Sequence, residues 1–208
     1  MTSTCAVPCS VLSFLYLVDH SALTEVIELE NTLDGSIFPQ DEIIRISEYA
    51  HKHSIRIHLD GARIWHVAIT TGIALDVLCE PFDSVSACFS KGLGQCEHVQ
   101  QAVCDPLSHF ILGAPVGSCL IGNKEFIARA RWFRKSFGGG MRQTGFLAAS
   151  AAFALTNNFP KLTYVHQLAQ RLERELREIG VEITVSAETC MVRVSLPRKQ
   201  LERWMAQT

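Results

Sequence analysis

From Val26 onward, short apolar runs alternate with longer segments whose apolar residues recur at helical spacing. Residues 41–53 show that spacing, with isoleucine at 43, 44 and 46 and alanine at 50, and Pro39 precedes them as a start signal. Short runs that alternate with helical segments are typical of β-α-β units, which build a parallel sheet. The pattern therefore predicts an α/β fold, with a mostly parallel sheet and helices on both of its faces.

The predicted elements cover most of the chain after residue 25. Strands are predicted at 26–29, 55–59, 84–89, 118–121, 181–185 and 191–196. Helices are predicted at 41–53, 62–71, 124–137, 141–155 and 162–179, with a further one from Pro197. Glycines follow several of these helices, and glycine is the residue that most often ends a helix.

The composition indicates a folded protein without an excess of either charge. Of the 208 residues, 48% are hydrophobic, and 19 basic against 21 acidic side chains leave a net charge of −2. That apolar content excludes a disordered chain, and the lack of a basic excess argues against nucleic-acid binding. The apolar run at 11–18 is too short to span a membrane, and no basic segment precedes it as in a signal peptide. We therefore expect a cytoplasmic protein that binds neither nucleic acid nor a membrane.

The eight cysteines do not follow a disulfide or zinc pattern. None pairs as Cys-x-x-Cys, and Cys88 and Cys119 lie in apolar runs predicted as strands. We expect mostly reduced thiols, as in cytosolic proteins. Metal ligation by His51, His53 and His58 is an alternative to solvated histidines, but the pattern is a weak signal and no metal site is predicted.

Two predicted strands end in ionisable residues. Asp60 follows the strand 55–59, and Lys91 follows the strand 84–89. Ligands of open parallel sheets bind at the carboxyl ends of the strands, so this acid and this amine are predicted to share a site. The pair suits pyridoxal 5′-phosphate, because the lysine can form a Schiff base with the aldehyde and the acid can keep the pyridine nitrogen protonated. The plainer alternatives are that Asp60 caps the following helix and that Lys91 is an exposed turn residue.

Five segments, in the same order along the chain, resemble the low-specificity L-threonine aldolases. These enzymes belong to the beta-eliminating lyase group of the fold-type I pyridoxal-phosphate enzymes. The resemblance extends from about Val26 to Val194. The motifs that carry it are Leu29-Glu30-Asn31-Thr32, His58-Leu59-Asp60-Gly61-Ala62-Arg63, Ser90-Lys91-Gly92-Leu93-Gly94, Ala114-Pro115-Val116-Gly117-Ser118 and Gly138-Gly139-Gly140-Met141-Arg142-Gln143.

The resemblance implies roles for residues at the two strand ends. Lys91 is the expected Schiff-base lysine, Asp60 is the expected partner of the pyridine nitrogen, and Ser90 is an expected cofactor contact. Arg63 is expected to bind the substrate carboxylate, a task that suits its two-pronged guanidinium.

The resemblance also implies basic residues near the cofactor. Arg142 and, less directly, Lys135 are expected there and could bind the phosphate group. The alternative for Lys135 is a solvated basic helix face that continues the arginines at 129, 131 and 134.

The implied activity is the pyridoxal-phosphate-dependent cleavage of L-threonine or L-allo-threonine to glycine and acetaldehyde. The resemblance also implies a homo-oligomer, usually a tetramer. His66 is a local candidate for the base, although a residue on a helix face is the plainer interpretation. Two alternatives stay open, namely a related lyase that cleaves an aromatic amino acid by β-elimination, and a truncated product that is not catalytic.

The chain departs from the family pattern in two places. Residues 95–113 separate two motifs that are contiguous in the family, and one hypothesis is an unspliced intron that is read in frame. Residues 1–25 lack family likeness. We therefore expect a non-family segment at 1–25, the C-terminal part of a cofactor-binding large domain at 26–157, and a truncated small domain at 158–208.

Overall fold

The computed structural model describes residues 23–91 and 117–195. The predictions for the segment before residue 23, for the insert at 95–113 and for the helix from Pro197 lie outside these described residues. Within the described ranges, strands and helices alternate as the hydrophobic pattern predicts.

The described ranges contain six strands and six α-helices. The strands are β1 Val26–Glu30, β2 Arg56–Asp60, β3 Ser84–Cys88, β4 Ser118–Gly122, β5 Glu182–Val185 and β6 Arg193–Ser195. The α-helices are α1 Gln40–Lys52, α2 Ile64–Thr71, α3 Leu75–Cys79, α4 Lys124–Ser136, α5 Gly145–Asn157 and α6 Leu162–Glu178. A single 3-10 turn, Phe159–Lys161, joins α5 to α6.

The larger sheet has four strands in the order β1-β2-β3-β4. The first three are parallel, whereas β4 runs antiparallel to β3. Helical segments connect β1 to β2 and β2 to β3, because a parallel pair needs a crossover that returns the chain to the same end of the sheet. The prediction of an α/β fold with a mostly parallel sheet is confirmed, and β4 is its one antiparallel member among the described strands.

Alternate residues of the two central strands form the core. Ile57 and Leu59 of β2 and Val85 and Ala87 of β3 are all buried. Leu59 and Val85 are register partners, and partners in a sheet point to the same face. Ile43 of α1 belongs to the same cluster, so the amphipathic helix packs its apolar stripe on this core.

A second sheet pairs β5 with β6 in antiparallel orientation. The loop before β6, and β6 itself, contact the segment that follows β1. Glu188 accepts a hydrogen bond from the backbone N–H of Ile37 at 2.7 Å, and Arg193 forms an ion pair with Asp34. These contacts fasten the C-terminal part of the described chain to the end of the first strand.

Two helix starts and one short helix differ from the pattern. The helix α2 begins at Ile64 instead of 62, because the Asp60 carboxylate accepts from the backbone N–H of Ala62 at 2.9 Å and holds the preceding residues in a turn. The helix α5 begins at Gly145 instead of 141, after the segment with three glycines. The short helix α3 is missing from the predictions, since its five residues carry too little of a helical repeat.

Among the cysteines that the structure describes, Cys79, Cys88 and Cys119 form no disulfide bond. The cysteines at 5, 9, 96 and 104 lie outside the described residues. Of the helices in the described ranges, none has the length and apolar character needed to cross a membrane.

The three histidines considered as metal ligands make separate contacts. His58 Nδ1 lies 2.7 Å from Ser84 Oγ, and the His53 ring lies 4.6 Å from the Tyr49 ring, measured between centroids. His51 bonds to an aspartate in the loop before β3. Within residues 23–91 and 117–195, no group of three or more His, Cys, Asp and Glu side chains is arranged to hold a metal ion.

That aspartate, Asp83, joins α1 to β2. Its Oδ2 accepts from the backbone N–H of Ile57 at 2.8 Å and lies 3.0 Å from His51 Nε2. The other ring nitrogen of His51 lies 3.3 Å from Ser47 Oγ, whose hydroxyl donates to the Pro81 carbonyl. Because the serine proton is directed at a backbone carbonyl, the serine, histidine and aspartate form a structural network and not a nucleophilic triad.

We expect Asp83→Asn to lower the free energy of unfolding by about 1 kcal/mol, a small value because the carboxylate is partly exposed to solvent. Burial raises the pKa of Asp83, but the hydrogen bonds from Ile57 and His51 and the charges of His51 and Arg56 outweigh it and lower the pKa below 3.8. A carboxyl whose pKa is lower in the folded than in the unfolded state stabilises the protein fully at a pH above the unfolded-state pKa. That stabilisation is lost as the pH falls through the folded-state pKa. Urea unfolding at neutral and acidic pH measures both effects.

Glu80→Gln is the control, since Glu80 is an exposed acid in the connection before β3. It should leave the unfolding free energy within about 0.5 kcal/mol of the parent. An Asp83→Asn variant as stable as the parent at neutral pH would contradict the assigned role.

Candidate functional site at the carboxyl edge of the sheet

The carboxyl ends of β1, β2 and β3 lie side by side. Glu30 pairs with Asp60, and Asp60 pairs with Ser86. Backbone hydrogen bonds continue this alignment past the strands, since Asn31 N donates to Asp60 O at 3.1 Å and Gly61 N donates to Ser86 O at 2.8 Å. Open parallel sheets bind their ligands at this edge, which makes it the candidate site.

Asp60 is the half-buried last residue of β2. Its Oδ1 accepts from the backbone N–H of Ala62 at 2.9 Å, so the expected capping role is present, although it serves a turn and not the first turn of the helix. Its Oδ2 has no hydrogen-bond donor among the described residues. One carboxylate oxygen therefore supports the turn, and the other is left to accept a bond from a ligand.

Gly61 lets that turn lie directly against β3. A Cβ at this position would meet Ser86 O at 3.0 Å and the side chains of Ile64 and Val85 at 3.3 Å each. The absence of a side chain thus allows the backbone after Asp60 to pack on the neighbouring strand.

Trp65 of α2 holds the chain that leaves β3. Its Nε1 donates to the Cys88 carbonyl at 2.7 Å. Its ring stacks on Phe89, with centroids 5.8 Å apart and planes 23° apart. A helix that starts just after the Asp60 turn therefore fixes the position of the segment that ends in Lys91.

Lys91 is exposed, and Ser90 beside it is half-buried. The Lys91 ammonium forms no hydrogen bond or ion pair with any residue in the described ranges. Asp60 is the last residue of β2, and Lys91 lies shortly after the end of the neighbouring parallel strand β3. Their chemical roles stay predictions.

Arg63 lies between the Asp60 turn and α2 and is half-buried. It takes part in no ion pair with the described residues. Since a guanidinium is permanently charged, this residue offers a cation next to the Asp60 turn for an anionic group such as a carboxylate.

Lys135 and Arg142 are both exposed. Lys135 lies in the last turn of α4, and the chain then turns back so that Gly139 N donates to Arg134 O at 2.8 Å. No hydrogen bond links either side chain to the carboxyl edge within the described ranges. Their expected place near a cofactor stays a prediction.

His66, the candidate base, lies inside the fold. Its Nδ1 is 2.7 Å from Nε2 of His166 on α6. Burial, followed by the proximity of His166 and of the Arg63 charge, lowers the pKa of His66 to about 3. The ring is thus directed at α6, and no hydrogen bond joins it to Asp60 or Lys91 in the described part of the chain.

Sequence reasoning assigned no role to two buried polar residues at the same edge, Asn31 and Thr32. The amide of Asn31 bonds to both backbone groups of Phe38 and so shapes the segment after β1. The Thr32 hydroxyl is buried without a hydrogen-bond partner among the described residues. The signal in the sequence was a polar pair directly after a strand that is parallel to the strand of Asp60.

Comparisons with known proteins identify the group to which the chain is similar. A sequence model of the beta-eliminating lyase family matches residues 16–96 and 111–197. The two matched segments flank most of the insert and leave residues 97–110 unmatched.

Several relatives are threonine aldolases. The low-specificity L-threonine aldolase of Candida albicans is 39% identical over 183 residues, which cover 88% of this chain and 44% of that protein. The low specificity L-threonine aldolase of Escherichia coli K12 is 36% identical over 164 residues, which cover 79% of this chain and 44% of that protein. The chain thus spans less than half the length of these curated relatives.

A solved structure shows the likeness in fold. Threonine aldolase of Leishmania major superposes with a TM-score of 0.72 at 17% identity, over 94% of this chain and 54% of that one.

We expect Gly61→Ala to lower the free energy of unfolding by about 1–3 kcal/mol, because the added methyl group would overlap the Ser86 carbonyl and the neighbouring side chains. Gly145→Ala is the matched control. Gly145 is the first residue of α5, a Cβ there would meet nothing within 4 Å, and alanine favours a helix, so the control should be neutral or up to about 1 kcal/mol more stable. Urea unfolding of both variants decides, and equal stability of the two would contradict the close packing of the Asp60 turn.

Proposed function

The chain belongs to the beta-eliminating lyase family, and on that premise we propose that its carboxyl edge binds pyridoxal 5′-phosphate and cleaves L-threonine or L-allo-threonine to glycine and acetaldehyde. The observation that carries the proposal is that Asp60 ends β2 and that Lys91 lies shortly after the end of the neighbouring parallel strand β3. An aromatic aldehyde with a ring nitrogen can be bound by two such groups at one sheet edge. The amine bonds to the aldehyde, and the acid accepts a hydrogen bond from the protonated ring nitrogen.

The residues at this edge fit the cofactor. Asp60 keeps Oδ2 without a donor among the described residues, so it can accept a hydrogen bond from a protonated pyridine nitrogen. Lys91 presents an exposed amine that no described side chain engages, so it can bond to the aldehyde carbon. The stacked rings of Trp65 and Phe89 hold the lysine segment beside the Asp60 turn.

When bound, the cofactor supplies an electron-accepting ring that stabilises negative charge at the substrate Cα. Asp60 keeps a proton at the ring nitrogen. The electrostatic attraction between its carboxylate and that nitrogen is stronger in a half-buried position than in water. Arg63 binds the substrate carboxylate through paired N–H donors and orients the amino acid. The substrate hydroxyl loses its proton, the Cα–Cβ bond breaks to release acetaldehyde, and Cα gains a proton to give glycine.

The proposal includes the further elements that the family resemblance implies. Ser90 contacts the cofactor, and Arg142 and Lys135 contribute positive charge to its phosphate group. The assembly is a homo-oligomer, with a tetramer as the expected form, and its location is the cytoplasm.

We expect Lys91→Ala to abolish the visible absorption band that forms when the purified chain is titrated with pyridoxal 5′-phosphate, because the band requires a covalent bond to the lysine amine. The far-ultraviolet circular dichroism should stay unchanged, since Lys91 is exposed and lies beyond the end of β3. Lys52→Ala is the matched control. Lys52 is an exposed lysine at the end of α1, before the amino end of β2, and its variant should keep the band.

Acetaldehyde release from L-threonine by the loaded chain tests the activity itself. Release that depends on Lys91 supports the aldolase. A Lys91-dependent band together with consumption of an aromatic amino acid, and none of threonine, would support the β-eliminating lyase instead. A parent chain that shows no band would identify a product that is not catalytic.

A further inference from the structure

Two histidines meet in the interior between α2 and α6. His66 Nδ1 and His166 Nε2 are 2.7 Å apart, and the ring centroids are 5.0 Å apart. Both side chains are buried, with 0% of His66 and 6% of His166 exposed. The contact joins two helices that are far apart in sequence, so it belongs to the tertiary structure and not to either helix alone.

The hydrogen bonds around the pair fit one arrangement of protons. Thr70 Oγ1 lies 3.2 Å from His166 Nδ1 and 3.4 Å from the Glu188 backbone carbonyl. Because a carbonyl only accepts, the Thr70 hydroxyl donates to Glu188 O and accepts from His166 Nδ1–H. His166 Nε2 is then unprotonated and accepts from His66 Nδ1–H. Two neutral rings thus join α2 to α6, and Thr70 of α2 continues the hydrogen bonds from His166 to the segment before β6.

The remaining ring nitrogen, His66 Nε2, takes no part in these hydrogen bonds. It is buried and has no hydrogen-bond partner among the described residues. In the arrangement above, it is the nitrogen of the pair that keeps a free lone pair, so an additional proton enters there. The resulting N–H would be buried without an acceptor among the described residues, and the ring would carry a positive charge. Both conditions destabilise the state in which α6 packs against α2, here called the docked state.

Among the described residues, the charged groups that act on His66 are His166 and Arg63, and neither is a negative charge that would compensate for that proton. Arg63, at the start of α2, adds a positive charge that acts on His66. From the segment before β6, Glu188 contributes its backbone carbonyl to Thr70, whereas its carboxylate accepts from Ile37 N. On α6, the carboxylate of Glu173 accepts from Ala187 N and from Arg177, so it is also committed elsewhere.

We propose that the His66–His166 pair is a pH-sensitive latch, which holds α6 against α2 while both rings are neutral and releases it when the pair takes up a proton.

The electrostatics of the two rings agree with this geometry. Burial, then His166 and then Arg63, lower the pKa of His66 from 6.5 to about 3, and burial lowers the pKa of His166. A histidine whose pKa is lower in the folded state contributes its full stabilisation at a pH above its unfolded-state pKa near 6.5. The stabilisation is lost as the pH falls toward the folded-state pKa. For His66 alone, the unfolding equilibrium constant should rise about 25-fold between pH 7 and pH 5.

Hydrogen exchange of the full chain at pH 7 and pH 5 tests the latch. At pH 5 we expect the amide protection factors of α6 to fall at least about 10-fold, while those of α1, which makes no hydrogen bond to either histidine, serve as the internal reference. In H66L/H166L, which keeps the interior apolar and removes both titrating rings, α6 protection should no longer depend on pH. H53L, the same substitution at an exposed histidine, should keep the parent behaviour. Equal loss of α6 protection at pH 5 in H66L/H166L and the parent would overturn the proposal.

Nitrogen NMR of the imidazoles in the parent chain provides a test that does not depend on a variant folding. We expect His66 to carry its proton on Nδ1 and both rings to stay neutral at pH 6 while α6 is docked. Two rings that become protonated near pH 6.5 with α6 protection unchanged would overturn the latch. This outcome is independent of cofactor binding, so it leaves the proposed lyase function untouched.

Discussion

The parallel register of β1, β2 and β3 is the constraint on which the candidate site depends. Glu30, Asp60 and Ser86 are register partners, so the chain leaves all three strands at the same edge. Two backbone hydrogen bonds extend the alignment beyond the strands. Because aliphatic side chains of these strands are buried in the core, a shift of register would expose them to solvent and would also separate the functional groups.

The helix α2 couples the site to the rest of the molecule. Its first turn holds Trp65, whose ring and indole N–H fix the segment after β3. The next residue, His66, bonds to α6. One short helix therefore contacts both the lysine segment and α6.

Some residues of the candidate site carry a signal in the sequence, and others do not. Asp60, Arg63 and Lys91 became candidates because each lies shortly after a predicted apolar strand within one of the five motifs. Their roles stay predictions. The role of Trp65 could not be found, because a tryptophan at a helix start gives no sign that it will bond to the Cys88 carbonyl. The Thr32 hydroxyl, which has no hydrogen-bond partner in the described part of the chain, likewise could not be found, because its burial is produced only by the packed fold.

By itself, the sequence determined the order of strands and helices, the α/β class and the family, because hydrophobic periodicity and short motifs are local properties of the chain. Only the tertiary structure decided that β4 runs antiparallel, that Gly61 packs against the Ser86 carbonyl of β3, and that His66 faces His166. These features depend on contacts between residues that are distant in sequence. No local pattern encodes the distance, burial and charge that those contacts bring together.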